Sequence, residues 1–345
     1  MNILVTGGAG FIGSHTVVAL AEAGFNPVII DDFSNSQPRA LEGLKAITKK
    51  NLHCYRQDCM DLAKVKNIIE REQITGVIHF AAYKAVGESM VEPLKYYNNN
   101  VGSLVNLLKA MQATNVQNII FSSSATIYGQ PDELPVHETS PVKPAMSVYG
   151  NTKQIGEEIL NDLYQAKKPV RSIALRYFNP IGAHPSALIG ELPLGTPNNL
   201  VPFITQTAAG LRESLTVFGN DYPTSDGTCI RDYIHVMDVA EAHVIAMQRL
   251  LSMEASTYYD MFNLGTGQGN SVLEVINTFE AVSGKKLNYQ FGPRRAGDVT
   301  SVYAEPRKAL EEMGWATKRD LRQSLEDAWR WQESLADVPN AKTTV

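Results

Sequence analysis

Cysteine is scarce. Cys54, Cys59 and Cys229 cannot all pair with one another, and none stands in a C-x-x-C arrangement or beside a histidine at metal-ligand spacing. A disulfide framework and a structural metal are therefore not expected, and the thiols read as reduced and idle. Long apolar runs are also missing: no stretch approaches the ~18 consecutive apolar residues of a membrane span. The N-terminus, Met1-Asn2-Ile3-Leu4-Val5, shows no basic, apolar and cleavable leader pattern and runs straight into a strand. The expected location is the cytoplasm. Basic excess is lacking too: 31 Lys and Arg against 36 Asp and Glu leave a net charge of −5, which argues against a nucleic-acid or anionic-membrane partner. The seven histidines are scattered, and no G-x-S-x-G, H-E-x-x-H or EF-hand loop occurs. His79 falls inside an apolar strand and His15 behind a glycine turn, places that suit structural roles.

What the chain has in quantity is ordinary core-forming material. At 345 residues with 44% apolar and 19% charged residues, it can bury a core that needs no staple, and its length favours two lobes. Short β-branched runs at 3–6, 27–30, 52–56, 77–80, 119–122 and 172–177 read as buried strands. Helical stretches at 13–23, 62–71, 101–113 and 149–165 lie between them. This alternation predicts an α/β fold, a doubly wound parallel sheet with ligands at the carboxyl ends of the strands, and the glycine loop after the first strand makes it a Rossmann, NAD(P)-binding fold. After Tyr177 the segment 179–200 is rich in Pro, Gly and Asn, which predicts ordered loops. A closing helix at 321–332 puts Leu321, Leu325, Ala328 and Trp329 on one face, so Trp315, Trp329 and Trp331 read as packing residues. The tail 336–345 reads as frayed. The division expected is a cofactor domain of 1–177 plus about 235–264, and a smaller C-terminal substrate domain of 178–234 and 265–345.

The first strand ends in Gly7-Gly8-Ala9-Gly10-Phe11-Ile12-Gly13, which satisfies G-x-G-x-x-G and opens the first helix. Glycines there let the backbone approach a pyrophosphate, and the helix N-terminus offers free N–H groups and positive partial charge. The second strand ends in Asp31-Asp32. A carboxylate at that point accepts from ribose hydroxyls and repels a 2′-phosphate; the nearest downstream cation is Arg39, so NAD is expected rather than NADP. For Asp58 two readings stay open, an adenine contact and a loop-solvating carboxylate.

Tyr149 and Lys153 stand four apart on one helix face. A phenol near pH ~10 is a poor base at neutrality, and a neighbouring ammonium favours its ionised form. The pair suits redox chemistry on a hydroxyl. Ser122-Ser123-Ser124 ends the fifth strand, where a hydroxyl relays a proton or simply terminates the strand.

Longer segments make the pattern specific. Lys84-Ala85-Val86-Gly87-Glu88-Ser89, Ser124-Ala125-Thr126-Ile127-Tyr128-Gly129, Arg176-Tyr177-Phe178-Asn179-Pro180 and Arg231-Asp232-Tyr233-Ile234-His235-Val236 join the glycine loop. With them nearly the whole chain resembles the extended short-chain dehydrogenase/reductase family, in its branch acting on nucleotide sugars. The resemblance implies reversible inversion at C4 of UDP-glucose and UDP-galactose with tightly held NAD, and a homodimer built from helices 101–113 and 149–165. It implies Tyr149, Lys153 and Ser124 as catalytic residues. It implies cofactor contacts from Gly7, Gly10, Phe11, Ile12 and Gly13, from Asp31, Asp32, Asn35 and Ser36, and from Asp58 and Cys59. Phe80, Ala81, Ala82, Lys84, Asn99, Ser122, Tyr177 and Phe178, with Tyr149 and Lys153, complete that set. For the substrate it implies Lys84, Ser124, Tyr149 and Asn179. Asn199, Leu200 and Phe218 would then lie on the uracil, with Thr216 nearby. Arg231 and Arg295 would meet the pyrophosphate, and Asp298 the ribose.

Val302 occupies a position where a tyrosine, in this family, excludes N-acetylated sugars. Valine implies acceptance of UDP-N-acetylglucosamine and UDP-N-acetylgalactosamine. Asn151-Thr152 departs from the commoner Lys-Ser before Lys153, at positions expected to face away from the cofactor. Ala82-Tyr83 replaces a commoner Gly-Leu, and Asn98 an acidic residue. Two other readings compete: a dehydratase or other epimerase of the same family, and a non-catalytic NAD-binding regulator. Dehydratases place an acid pair after the catalytic hydroxyl, where this chain has Ala125-Thr126, and regulators usually lose the tyrosine or lysine, both present here.

Overall fold

Apolar strands with no polar alternation bury both faces, so helices must cover the sheet on either side. The computed structural model, which describes residues 1–295 and 298–336, has that arrangement. The strands are β1 (Asn2–Thr6), β2 (Asn26–Asp31), β3 (His53–Arg56), β4 (Ile74–His79), β5 (Asn118–Ser124), β6 (Arg171–Tyr177), β7 (Asn179–Ile181), β8 (Leu215–Phe218), β9 (Ile230–Arg231), β10 (Tyr233–His235), β11 (Tyr258–Leu264), β12 (Asn270–Ser271), β13 (Tyr289–Gly292) and β14 (Ser301–Val302). The helices are α1 (Phe11–Glu22), α2 (Arg39–Thr48), α3 (Leu62–Arg71), α4 (Val86–Val91), α5 (Pro93–Tyr96), α6 (Gly102–Ala113), α7 (Val148–Gln165), α8 (Leu200–Ala208), α9 (Val236–Leu251), α10 (Val272–Ser283), α11 (Arg307–Met313) and α12 (Leu321–Ala336).

The central sheet is parallel throughout, in the order β11-β6-β5-β4-β1-β2-β3. Successive residues of one strand serve opposite faces. Ile3 and Val5 pack with α1 and α9, whereas Leu4 packs with α3 and α6. All three are fully buried, each contributing about 1.5–3 kcal/mol by leaving water. The chain order reverses beside β1, between β4 and β2, and a ligand crevice forms at such a point.

A second cluster joins Ile181, Val201, Ile204, Leu215 and Val217 with α10 and with Leu325 and Ala328 of α12. A smaller one, with Ile127, Val136, Phe178, Val302 and Ala304, lies beneath the end of β5. Leu321 and Trp329 pack on the α12 side as expected, and the Trp315 and Trp331 indoles donate to the Asp238 and Glu191 carbonyls.

Several expectations need correcting in detail. Val101, read as the start of a helix, belongs to a π turn over Tyr97–Val101 that feeds α6. The strand β11 and the helices α2, α9 and α10 carry polar residues among their apolar ones, and apolar runs alone do not reveal them. Ala336, placed in a frayed tail, closes α12; residues 337–345 lie outside the described residues. No described helix is long and apolar enough to cross a membrane.

Candidate active site

The glycine loop is shaped by backbone packing. Gly7 has φ +70°, and a Cβ there would sit 2.9 Å from the Ala81 nitrogen. A Cβ on Gly13 would come within 2.1 Å of the Gly7 carbonyl oxygen, so only glycine lets α1 begin this close to β1. Gly10 caps α1 without a side-chain hydrogen bond, which leaves the first-turn N–H groups to an anion. Asp31, buried at the end of β2, accepts from the Ala9 N–H at 2.9 Å, the Phe33 N–H at 2.9 Å and the Ser36 hydroxyl at 2.7 Å. Its carboxylate thus anchors the glycine loop before any ribose reaches it. Asp32 is held by its own turn through Ser34, and the exposed Asp58 accepts from the Met60 N–H. The Arg39 guanidinium lies over the Trp331 ring at 5.6 Å, turned to the C-terminal helix. Arg56, not weighed in the sequence, lies over Phe33 at 5.9 Å.

The other cofactor candidates gather along the same carboxyl edge. Cys59 follows β3; Phe80, Ala81, Ala82 and Lys84 follow β4; Ser122 lies two residues before the end of β5; Tyr177 ends β6, and Phe178 follows it. Asn35 lies on the exposed turn after β2, and Asn99 lies in the π turn. Neighbouring Asn100 accepts from the Tyr83 N–H at 2.9 Å and donates to the Tyr83 carbonyl at 3.0 Å and to Thr152 Oγ1 at 3.1 Å. Asn151 donates to the Tyr97 hydroxyl at 2.6 Å. Asn151 and Thr152 therefore brace the π turn and the loop after β4. Burial pushes the thiols of Cys54 and Cys59 up to about 11 and about 12, so both stay protonated at neutrality.

Helix α7 positions the catalytic candidates. Ser147 caps it by accepting from the Gly150 N–H at 3.1 Å, a contact worth about 1 kcal/mol. Two residues later Tyr149 faces the cleft, partly exposed, and one turn further Lys153 is buried. The Lys153 Nζ lies 5.8 Å from the Tyr149 ring centre and 5.0 Å from that of Phe121. Burial pulls the Lys153 ammonium down to about 7, against the raising effect of Glu157. Burial pushes the Tyr149 phenol up to about 12, and a hydrogen bond with Ser124 opposes this. Ser122 hydrogen-bonds the Tyr177 hydroxyl, whereas Ser123 turns the other way, to Glu157. The three serines divide: Ser122 and Ser124 face the site, Ser123 the core. The buried imidazoles of His15 and His79 are held neutral by desolvation, each down to about 3, as their structural reading requires.

On the substrate side, Arg231, Arg295, Asp298 and Phe218 come together. Asp298 accepts from Arg231 at 3.1 Å and Arg295 at 3.3 Å, and the Arg295 guanidinium lies 5.5 Å over the Phe218 ring. Val302 is buried and pairs in register with Arg231. Thr216 and Phe218 share β8, Asn199 caps α8 just before Leu200, and Asn179 starts β7. The sequence reading missed three carboxylates. Glu191 accepts from Lys84 at 3.0 Å and Asn199 at 2.6 Å. Asp232 receives the backbone N–H groups of Thr266, Gly267 and Ala304, so it gathers the segments beside Arg231 and Val302. Glu157 pairs with Arg176. A charged residue on the inward face of α7, one turn past Lys153, was the available clue for the last.

A parallel sheet with this loop, an acid ending β2, a serine ending β5 and a Tyr/Lys pair on the next helix defines a nicotinamide-dependent short-chain dehydrogenase/reductase. A family profile described as GDP-mannose 4,6 dehydratase matches residues 4–328. The UDP-glucose 4-epimerase of Bacillus subtilis (strain 168) is 51% identical over 334 residues, covering 97% of each chain. That of Bos taurus is 47% identical over 338 residues, covering 96% of each. Among solved structures, the Stenotrophomonas maltophila UDP-glucose 4-epimerase with bound NAD and formylated UDP-arabinopyranose superposes with a TM-score of 0.94 at 47% identity, covering 97% of this chain and 99% of that one. The chain belongs to the UDP-glucose 4-epimerase family.

Proposed function

We propose that the protein interconverts UDP-galactose and UDP-glucose by transient oxidation at C4 with bound NAD, as an isomerase of galactose metabolism. The observation that carries this reading is the convergence of Tyr149, Lys153 and Ser124 at the carboxyl edge of the sheet, beside a loop built for a dinucleotide. Bound along that edge, NAD supplies a positive ring and a hydride acceptor that is restored in each cycle. Gly7, Gly10, Phe11, Ile12 and Gly13 would hold its pyrophosphate, Asp31 its adenosine ribose, and Lys153 and the loop after β4 its nicotinamide end. Tyr149 takes the proton of the C4 hydroxyl, with Ser124 as bridge, and later returns it. Lys153 provides the adjacent positive charge that favours the phenolate.

The UDP moiety is read by Arg231, Arg295, Asp298 and Phe218, with Asn179, Asn199, Leu200 and Thr216 around them. Forked, charge-assisted contacts suit the pyrophosphate. Firm contacts there and few on the sugar leave the sugar free to turn over between oxidation and reduction. Val302 in place of a tyrosine extends the substrates to the N-acetylated pair. The cofactor unit would be 1–177 with about 235–264, the substrate unit 178–234 with 265–345, and the assembly a cytoplasmic homodimer formed through α6 and α7.

A dehydratase activity finds no support at Ser124: the residues after it are Ala125 and Thr126, and Thr126 donates to the Ser124 hydroxyl instead of offering an acid. The test is purified protein with UDP-galactose and no added NAD, with separation of the products. Formation of UDP-glucose without net absorbance change at the NADH wavelength is expected. Accumulation of a keto sugar or of NADH overturns the reading.

A further inference from the structure

Glu157 stands four residues after Lys153, which stands four after Tyr149, so the three share one face of α7. Both Glu157 and Arg176 are almost wholly buried, 6% and 3% exposed. Arg176 grips the carboxylate with a fork, Nε to Oε1 at 2.9 Å and Nη2 to Oε2 at 2.6 Å. The Ser123 hydroxyl donates to the same carboxylate. Ser123 lies between Ser122, whose carbonyl takes the Lys153 ammonium at 2.5 Å, and Ser124, whose hydroxyl acts to lower the pKa of the Tyr149 phenol. Arg176 continues to the Tyr128 hydroxyl at 2.9 Å and the Glu138 carbonyl at 3.1 Å, and Tyr128 donates to Asn263 at 2.7 Å. The ion pair thus grips the segment from Ser123 to Tyr128 at both ends.

A buried ion pair seldom repays its desolvation, and apolar side chains of similar volume hold a core as well or better. They cannot supply a charge. We infer that Glu157 is a positioning residue for the Tyr149–Lys153 pair: clamped by Arg176, it fixes the serine strand end against α7 and sets a negative charge one turn beyond the Lys153 ammonium. This rests on the reading of Tyr149 and Lys153 as the proton-handling pair.

The groups packed around Lys153 leave Glu157 its principal charged neighbour. His79 on β4 is held neutral by burial, and burial likewise raises Tyr128, Tyr149, Tyr177 and Tyr259. Tyr97 accepts from Asn151. Glu88 and Lys95, on α4 and α5, pair with each other at 2.7 Å. Glu138 accepts from the Asn263 N–H at 2.7 Å.

The test is Glu157→Gln, with Glu157→Gln/Arg176→Gln beside it to remove both charges should the single change leave Arg176 unpaired and the fold damaged. Lys153 is titrated in the protein as purified by side-chain NMR, its signal assigned from its absence in Lys153→Met, and kcat and KM for UDP-galactose are measured against pH. The Lys153 midpoint and the alkaline limb of kcat are expected to move down by about one pH unit, with little change in KM. An unmoved midpoint in a folded variant, or a loss of kcat equal at every pH, overturns the inference. The midpoint is read without turnover, so it decides this point separately from Tyr149→Phe, which decides the reading of the reaction.

Discussion

The Lys153 ammonium donates to the main-chain carbonyl of Ser122 at 2.5 Å, tying α7 to the last residues of β5. That bond holds the Lys153 Nζ between two rigid elements, 5.8 Å from the centre of the Tyr149 ring. Tyr149→Phe removes the proton acceptor and leaves this frame intact. Turnover of UDP-galactose is expected to fall by about 10²–10⁴-fold while the circular dichroism spectrum and bound NAD are retained. Full-rate turnover by this variant sinks the assignment.

Val302 is 8% exposed, beside Ala304 and Phe178 in the small cluster under β5. Exchange for tyrosine adds a ring where the reading places the acetamido group. Val302→Tyr is expected to abolish turnover of UDP-N-acetylglucosamine and UDP-N-acetylgalactosamine and to retain most of that of UDP-glucose. Measured kcat/KM for the two sugar pairs decides it, and an unchanged ratio between them rejects the idea.

A methyl group on Gly13 would lie 2.1 Å from the Gly7 carbonyl oxygen, a backbone atom that cannot swing aside. Gly13→Ala should lower stability by about 1–3 kcal/mol and empty the protein of NAD, because α1 must move away from the loop. Denaturant unfolding and the NAD content of purified protein check both parts; a variant that keeps wild-type values for both contradicts the close approach.

Three buried histidines make stability depend on pH. Burial holds His15 and His79 down to about 3 and His243 down to about 4, against 6.5 in the unfolded chain. Below pH ~6.5 the unfolded state binds protons that the folded state refuses, so stability is lost as pH falls towards these values. Between pH ~6.5 and ~5 each histidine costs up to about 2 kcal/mol. Urea unfolding at pH 7 and pH 5 should show the drop, and His79→Asn should shrink it. Equal stability at the two pH values in the parent protein removes the argument.

Much of this was legible in the chain before it was folded. Strands such as 3–6 are apolar at successive residues, which only a sheet covered on both faces explains, and the glycine spacing after β1 carries its steric demand in the residue type itself. Tyr149 and Lys153 share a face by helical geometry alone, so their partnership needs no fold to be seen. What the serines do was not legible: three identical neighbours point to alternate faces, and only the positions of Glu157 and Tyr177 separate Ser123 from Ser122. Contacts between distant residues were equally hidden, such as Asp298 between Arg231 and Arg295, Glu191 between Lys84 and Asn199, or Asp232 joining the 266–267 loop to Ala304. Local sequence determines which conformations and faces are available, because backbone sterics and apolar periodicity act over a few residues. Which charges meet depends on how loops far apart in the chain are brought together, and that was decided only when the core closed.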